Sequence, residues 1–219
     1  MKRTNTTTLT TFVRSTATMS FSSPPGSSSI TTITLPPHSP WTSGLHWHES
    51  HTEFLRVISG RAWVSVSGIS RIVSASDGEL VVPKFARHEW RRAAVGDGSA
   101  FQERWNDEEL VVEEWTDPFD GEKEVFFRNL NSVILDTVAQ PAWWMEWWLS
   151  LQLFVVFSEA DNYPVFWLHE NERIQYLLTH AVLLVARVAV DSYGFKALVM
   201  HLRQGSDHSQ HPTSQLNIL

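Results

Sequence analysis

The stretch from Gly44 to His88 limits this chain more tightly than any other. It opens Gly44-Leu-His46-Trp-His48-Glu49-Ser-His51-Thr-Glu53, runs on as alternating apolar residues to Gly60, and closes Gly78-Glu-Leu-Val-Val-Pro83-Lys-Phe85-Ala-Arg-His88. Successive side chains of an extended strand point to opposite faces, so His46 and His48 share one face and present two imidazoles to a common point. Glu53, just past the polar segment 49–52, supplies a carboxylate from the same strand or its edge, and His88 brings a third imidazole from a strand distant in sequence. Three His and one Glu around a divalent ion leave octahedral positions open for water, substrate or dioxygen, which suits Fe, Mn, Ni or Zn. Gathered in an apolar interior with no ion, the same side chains lose their hydration uncompensated. His51 has odd spacing from His46 and His48, which assigns it to the other face and to solvent; Glu49 reads as a solvated edge residue.

The sequence around this stretch is β in character. Ile30–Leu35 is rich in β-branched residues and ends at Pro36-Pro37. Phe54–Ile58, Ala62–Val66 and Ile69–Val73 are short runs punctuated by Gly60 and Gly68, the pattern of an antiparallel meander. Asp77-Gly78 marks a turn before the buried-strand signal Leu80–Val82, and Phe101–Trp105 and Leu110–Trp115 add strands around the acidic segment 106–109. Many short strands at close spacing specify a small closed barrel or jelly roll rather than a parallel α/β sheet.

After Asp117-Pro118 the periodicity becomes helical. The spacing predicts a helix over Glu122–Leu135, with acidic residues at its start that suit the helix dipole. Pro141 introduces a second, Trp143–Phe157, in which Trp144, Trp147, Trp148 and Leu151 share a stripe expected to cover the barrel or form a dimer face. A Trp-rich helix lying in a membrane interface is the alternative. Tyr176–Val190 is apolar but carries Arg187, whose placement in hydrocarbon costs roughly 2.5–3.5 kcal/mol, so a buried or oligomer-facing helix is expected there rather than a membrane span.

Composition narrows the function. A formal charge of -7 lacks the Lys and Arg surplus that neutralises nucleic-acid phosphates or anionic lipid. Cysteine is absent, so any metal is held by His and carboxylate, and there is no cysteine nucleophile. Neither a phosphate-binding glycine loop nor a Gly-x-Ser-x-Gly elbow occurs. Residues 1–29 are dominated by Ser and Thr and read as a flexible tail. Lys2, Arg3 and Arg14, with no acidic residue before Glu49, also fit a mitochondrial transit peptide, the minor alternative to a cytoplasmic protein.

His46-x-His48-x4-Glu53-x6-Gly60 resembles the first motif of the cupin superfamily, and Gly78-x4-Pro83-x4-His88 resembles the second. The second departs from the general pattern: Phe85 stands at a glycine position, Arg92 at an asparagine position, and the first gap is one residue short. The resemblance implies a mainly β chain built as a single cupin-type barrel, or jelly roll, over residues 30–117. A disordered tail over 1–29 would precede the barrel, with a helical extension over 118–203 and a flexible end over 204–219 after it. The segments Glu89-Trp90-Arg91-Arg92 and Phe126-Phe127-Arg128-Asn129-Leu130 are also similar to small fungal cupins encoded beside reducing polyketide synthases and short-chain dehydrogenases in salicylaldehyde-type pathways. Those proteins are usually described as oxidoreductases. The resemblance implies one divalent ion on His46, His48, Glu53 and His88, a polyketide-type aldehyde or phenol as substrate, a homodimer, and pathway enzymes as partners.

Trp47, Trp63, Phe85 and Trp90 are candidates for the wall of an apolar pocket, and Arg56, Arg91 and Arg92 for fixing a phenol, carboxylate or enolate oxygen. Core packing and surface charge are the competing readings. Two functions follow: a metal-dependent enzyme of secondary metabolism, oxidising its substrate or acting as a non-redox isomerase or cyclase, and a non-catalytic binding barrel that docks on a partner enzyme.

Overall fold

Alternation of dry and wet side chains lays out the architecture, because each strand buries one face. The computed structural model describes residues 9–21, 30–94, 97, 108–138, 144–166 and 171–192. In chain order the strands are β1 (Thr11–Val13), β2 (Thr18–Phe21), β3 (Thr31–Leu35), β4 (His46–Trp47), β5 (Thr52–Ser59), β6 (Arg61–Val66), β7 (Ile69–Ser74), β8 (Glu79–Val82), β9 (His88–Arg92) and β10 (Leu110–Asp117). Helices α1 (Glu122–Val138) and α2 (Met145–Glu159), the short strand β11 (Tyr163–Pro164) and helix α3 (Glu172–Asp191) follow. The strand predicted over Phe101–Trp105 lies outside the described residues, as do Pro141 and the end over 204–219.

All strand pairing is antiparallel, in two sheets ordered β1-β2-β3-β10-β5-β8 and β11-β4-β9-β6-β7. One core joins them: Ile33, Leu35, Leu55 and Val57 of the first sheet pack with Ala62, Val64, Val73 and Trp90 of the second. The two sheets are not joined edge to edge among the described residues. The arrangement is consistent with a cupin-like barrel of two facing antiparallel sheets. Gly60 makes the crossing from β5 to β6 at φ +76°, and a Cβ there would sit 2.6 Å from the Glu109 carbonyl oxygen, so glycine is the residue that fits. Arg92, at the asparagine position of the second motif, spans the sheets by donating from Nη1 to the Leu35 carbonyl (3.1 Å).

Residues 9–21 form a hairpin where the Ser/Thr content predicts a flexible tail. Phe12, Ala17, Met19 and Phe21 all point into the core, while Thr11, Val13, Thr18 and Ser20, three of them β-branched, take the alternate strand positions. Helix α1 clamps this hairpin: Arg128 donates to the Leu9 carbonyl (2.5 Å) and lies 4.5 Å over the Phe21 ring, and Asn131 reaches the Met19 sulfur (3.1 Å). Burial offsets the ordering entropy that composition alone suggests the segment cannot meet.

Helix α1 packs on α2, and α2 on α3. The packed stripe of α2 runs through Met145, Gln152, Val155 and Val156, rotated from the predicted one. Trp148 and Leu151 reach the core, while Trp144 and Trp147 face solvent. Helix α3 is capped by the Asn171 side chain and buries Gln175, Thr179, Leu183, Ala186 and Val190. By length and composition it is apolar enough to cross a membrane, with 28% of its apolar window buried. Polar ties bind it to the protein: Arg87 donates to Glu172 (2.7 Å), Thr179 donates to the Pro164 carbonyl (3.0 Å), His180 donates to Glu49 (2.8 Å), and Arg187 pairs with Glu159.

Candidate metal centre

His46 and His88 are cross-strand partners of β4 and β9 in one sheet; Glu53 comes from β5 in the other. Strand β4 ends at Trp47, so His48 sits on the loop that carries the chain between sheets, and the site lies in the gap they leave. All four side chains are buried, and their candidate ligand atoms lie within 4.8 Å of one another. The imidazole centroids are 4.1 Å apart for His46 and His88, 5.0 Å for His46 and His48, and 5.2 Å for His48 and His88.

Tautomers follow from the partners. His46 Nδ1 faces the Gly44 carbonyl at 2.8 Å, His88 Nδ1 the Ala86 carbonyl at 3.0 Å, and His48 Nδ1 the Asp161 carbonyl. A carbonyl only accepts, so all three rings carry a proton on Nδ1, and in the neutral form each has its lone pair on Nε2. His46 Nε2, His88 Nε2 and Glu53 Oε1 are buried with no hydrogen-bond partner. His48 Nε2 lies 2.9 Å from Glu53 Oε2 and His88 Nε2 lies 3.2 Å from Glu53 Oε1, so with neutral rings lone pairs face the carboxylate on both sides. Burial, with His88 and His48 adding, holds the His46 pKa well below the usual imidazole value, and burial also lowers that of His48. Neutral imidazoles and an ionised carboxylate are the donor set a divalent ion requires, and backbone carbonyls fixing the second ring nitrogen is its usual support. The residues fit a metal.

A second polar layer lies behind these four side chains. Lys123, from the first turn of α1, pairs with Glu53 Oε2 and sits 3.3 Å from Glu114 Oε2; Glu114 in turn accepts from the Trp90 indole. Burial pushes the Glu53 carboxyl up, but Lys123, His88 and the His48 bond outweigh it and hold the group well below the usual carboxylate range. Glu114 goes the other way: burial raises its pKa against the pull of Lys123. Burial lowers the Lys123 pKa less than Glu114 and Glu53 raise it, so the amine stays charged. Lys123 and Glu114 were not singled out in the sequence. Glu114 was findable, because β10 buries Leu110, Val112, Glu114 and Thr116 on one face, and a carboxylate in that register points inward.

His51 corrects the sequence reading: it is buried, not solvated. Asp161, just past the end of α2, accepts from His51 Nδ1 (2.7 Å) and from the backbone N–H groups of Glu49 (2.9 Å), Ser50 (2.8 Å) and His51 (3.0 Å). Asp120 holds the other nitrogen at 3.0 Å. The Asp161 bond, assisted by Asp120, raises His51 to a pKa of about 9. With both ring nitrogens taken, the His51, Asp120 and Glu122 group reads as an ion pair rather than a second metal site. Glu49 is half-buried and accepts from the Trp47 indole (3.2 Å) as well as from His180.

A cavity of about 270 Å³ reaches His46, the one of the four that lines it, and is bounded also by Glu114, Lys123, Trp41, Phe126 and Phe127. None of Trp47, Arg56, Trp63, Phe85 and Trp90 lines it. Arg56 and Trp63 fall on the outward faces of β5 and β6, where Arg56 pairs with Glu113 (2.5 Å) and Trp63 lies under the Arg91 guanidinium (4.5 Å). Arg91 is bound to Asp97 (2.6 Å). Trp47 stacks on Tyr163, Phe85 is exposed on the turn before β9, and Trp90 is core.

Among solved structures, the chain is similar to the capsular polysaccharide assembling protein CapF from Staphylococcus aureus, at 18% identity over 48% of this chain and 27% of that one, with a TM-score of 0.37. It is also similar to a predicted oxalate decarboxylase from Thermotoga maritima (19% identity, 39% of this chain, 61% of that one, TM-score 0.30). An oxalate oxidase in complex with the substrate analogue glycolate matches at 19% identity, 39% of each chain and a TM-score of 0.30. The chain spans less than two-thirds of the length of each. No family model and no curated protein matches it.

Proposed function

We propose that His46, His48, Glu53 and His88 hold one divalent ion and that the protein is a metal-dependent, cupin-type enzyme acting on a small organic molecule in the adjoining cavity. One observation carries this reading: three imidazoles, each locked by a backbone carbonyl into the Nδ1–H tautomer, turn their Nε2 lone pairs and an unpartnered carboxylate oxygen toward one buried point. When bound, the ion would supply Lewis-acid polarisation of a substrate oxygen or, if redox-active, a route for electrons to an oxidant. The chain's own residues do the rest. Phe126 and Phe127 make part of the cavity wall apolar, Lys123 offers an ammonium in that wall, and Glu114, its pKa raised by burial, can hold a proton beside that amine. The resemblance to small fungal cupins directs the finer reading: an oxidoreductase, with a non-redox isomerase or cyclase as runner-up, acting on a polyketide-type aldehyde or phenol.

The exposure of Trp147, 78%, favours a second reading in which the protein docks on a partner enzyme and shields an intermediate. Elemental analysis and product profiling separate the two. The purified chain should carry about one equivalent of metal, and His46→Ala and His88→Ala should lose both metal and product. Retention of product after loss of metal would reject the enzyme and leave the accessory role.

A further inference from the structure

We infer that α3 is the seam of a homodimer in which two copies of this helix lie antiparallel about a two-fold axis at Ala181. Ile174, Leu177, Ala181, Leu184 and Val188 are spaced three, four, three and four residues apart, on the side of α3 opposite its buried stripe. That alternation keeps one apolar stripe facing a single partner helix, because two such helices wind around each other at about 3.5 residues per turn. Leu178 and Val185 widen the stripe, and Leu177, Leu184, Val185 and Val188 are between 60% and 67% exposed. No Lys, Arg, Asp or Glu occurs from 174 to 186.

The stripe is complementary to itself, as a two-fold interface requires. Turned about Ala181, it sets Ile174 of one copy against Val188 of the other, Leu177 against Val185 and Leu178 against Leu184, while the small Ala181 lets the two backbones approach at the axis. Charge fits the same arrangement. Arg173 and Asp191 border the stripe on one flank, and the antiparallel turn brings Arg173 of one copy to within about 3 Å of Asp191 of the other along the helix axis, at both ends. The opposed helix dipoles favour it too. The area also suffices: the exposed parts of the six large side chains of the stripe amount to roughly 600 Å² per copy, so a pair withdraws about 1,200 Å², the scale of a stable interface before any rim is counted. A lipid surface fits less well. A helix lying in a membrane interface carries Lys and Arg along its polar face, whereas the inner face of α3 is buried in the protein and Arg187 is paired with Glu159.

Sedimentation of the whole chain over a wide concentration range tests the pairing, and a dimer at micromolar concentration is expected. Leu177→Glu and Leu184→Glu each enter the seam twice and should raise the dissociation constant at least about 100-fold. Ile69→Glu, at a similarly exposed apolar site on β7, should leave it within about threefold. The chain has no cysteine, so single introduced thiols report the geometry even if a glutamate variant fails to fold. Under mild oxidation Ala181→Cys should give a disulfide-linked dimer, because that position meets itself at the axis. Ile174→Cys should not, because its two copies lie about 21 Å apart along the helices. A monomer at every concentration, a dimer indifferent to both glutamates, or cross-linking through Ile174→Cys rather than Ala181→Cys overturns the antiparallel seam. A monomer that floats with phosphatidylcholine vesicles overturns it as well, and assigns the stripe to lipid.

Discussion

Lys123 and Glu53 form an ion pair at the start of α1, with both side chains almost wholly withdrawn from solvent. With Glu53 as a ligand of the proposed ion, the amine and the ion would share one negative charge. Removing the amine by Lys123→Met strands Glu53 and Glu114 in the interior, which costs about 3–5 kcal/mol for a buried pair broken on one side. In the metal-loaded protein the ion still compensates Glu53, so the loss should shrink to less than half. Urea unfolding of the chelator-treated and zinc-loaded variants measures both. Equal losses in the two states would show that the ion and Lys123 do not share Glu53.

Asp161 connects the helical part to the site twice over, through its carbonyl to His48 Nδ1 and through its carboxylate to three backbone N–H groups of the loop 49–51. Asp161→Ala leaves those donors unpaired and frees the loop that aims His48. A fall in metal affinity of roughly 10- to 100-fold is expected, with a stability loss of about 2–3 kcal/mol. Asp161→Asn, which keeps an acceptor oxygen, should lose less on both counts. Competition against a chromogenic chelator gives the affinity, and an unchanged value in Asp161→Ala would detach His48 from this support.

The sequence made the strands and the ligand spacing legible for a local reason: alternation and turn residues are written within a few positions. Ile69–Val73 and Leu80–Val82 are present as β7 and β8 with small shifts at their ends. Phe85 shows how a motif departure is absorbed. It adopts φ +64°, the left-handed conformation that glycine takes most readily, and projects 59% exposed into solvent. What was illegible is what α1 and the end of α2 bring in. Lys123 and Asp161 are ordinary charged residues until tertiary packing places one against Glu53 and the other under His48. Composition misled over residues 9–21, because threonine counts as polar while packing like a β-former. Residue type alone nominates Arg56 and Trp63 for a pocket, but strand alternation turns both outward.

Gly60 and Gly68 separate two effects that glycine usually confounds. Both have positive φ, +76° and +81°, but an added Cβ at Gly60 meets the Glu109 carbonyl oxygen at 2.6 Å, whereas at Gly68 nothing lies within 4 Å. Gly68→Ala therefore carries only the left-handed penalty, about 1–2 kcal/mol. Gly60→Ala adds displacement of the backbone beside β10 and should lose at least about 2 kcal/mol more. Denaturant midpoints of the two variants give the difference directly, and equal losses would mean that the chain does not pass this closely at Gly60.

His51 couples the stability of the loop 49–51 to pH. Its bonds to Asp161 and Asp120 raise its pKa to about 9, above the roughly 6.5 of an unfolded chain. A group whose folded pKa is raised binds more protons folded than unfolded, so its contribution is fully present below about pH 6.5 and is lost as pH climbs through about 9. The metal-free protein should therefore lose stability across that window. His51→Gln should be less stable at the acid end, because Asp161 and Asp120 lose their cation, and its stability should change less between the two limits. Melting temperatures of both proteins across the window decide the matter. Parallel curves for the two would mean that another group titrates there and that the ion pair of His51 with Asp161 contributes nothing to holding the loop 49–51 in place.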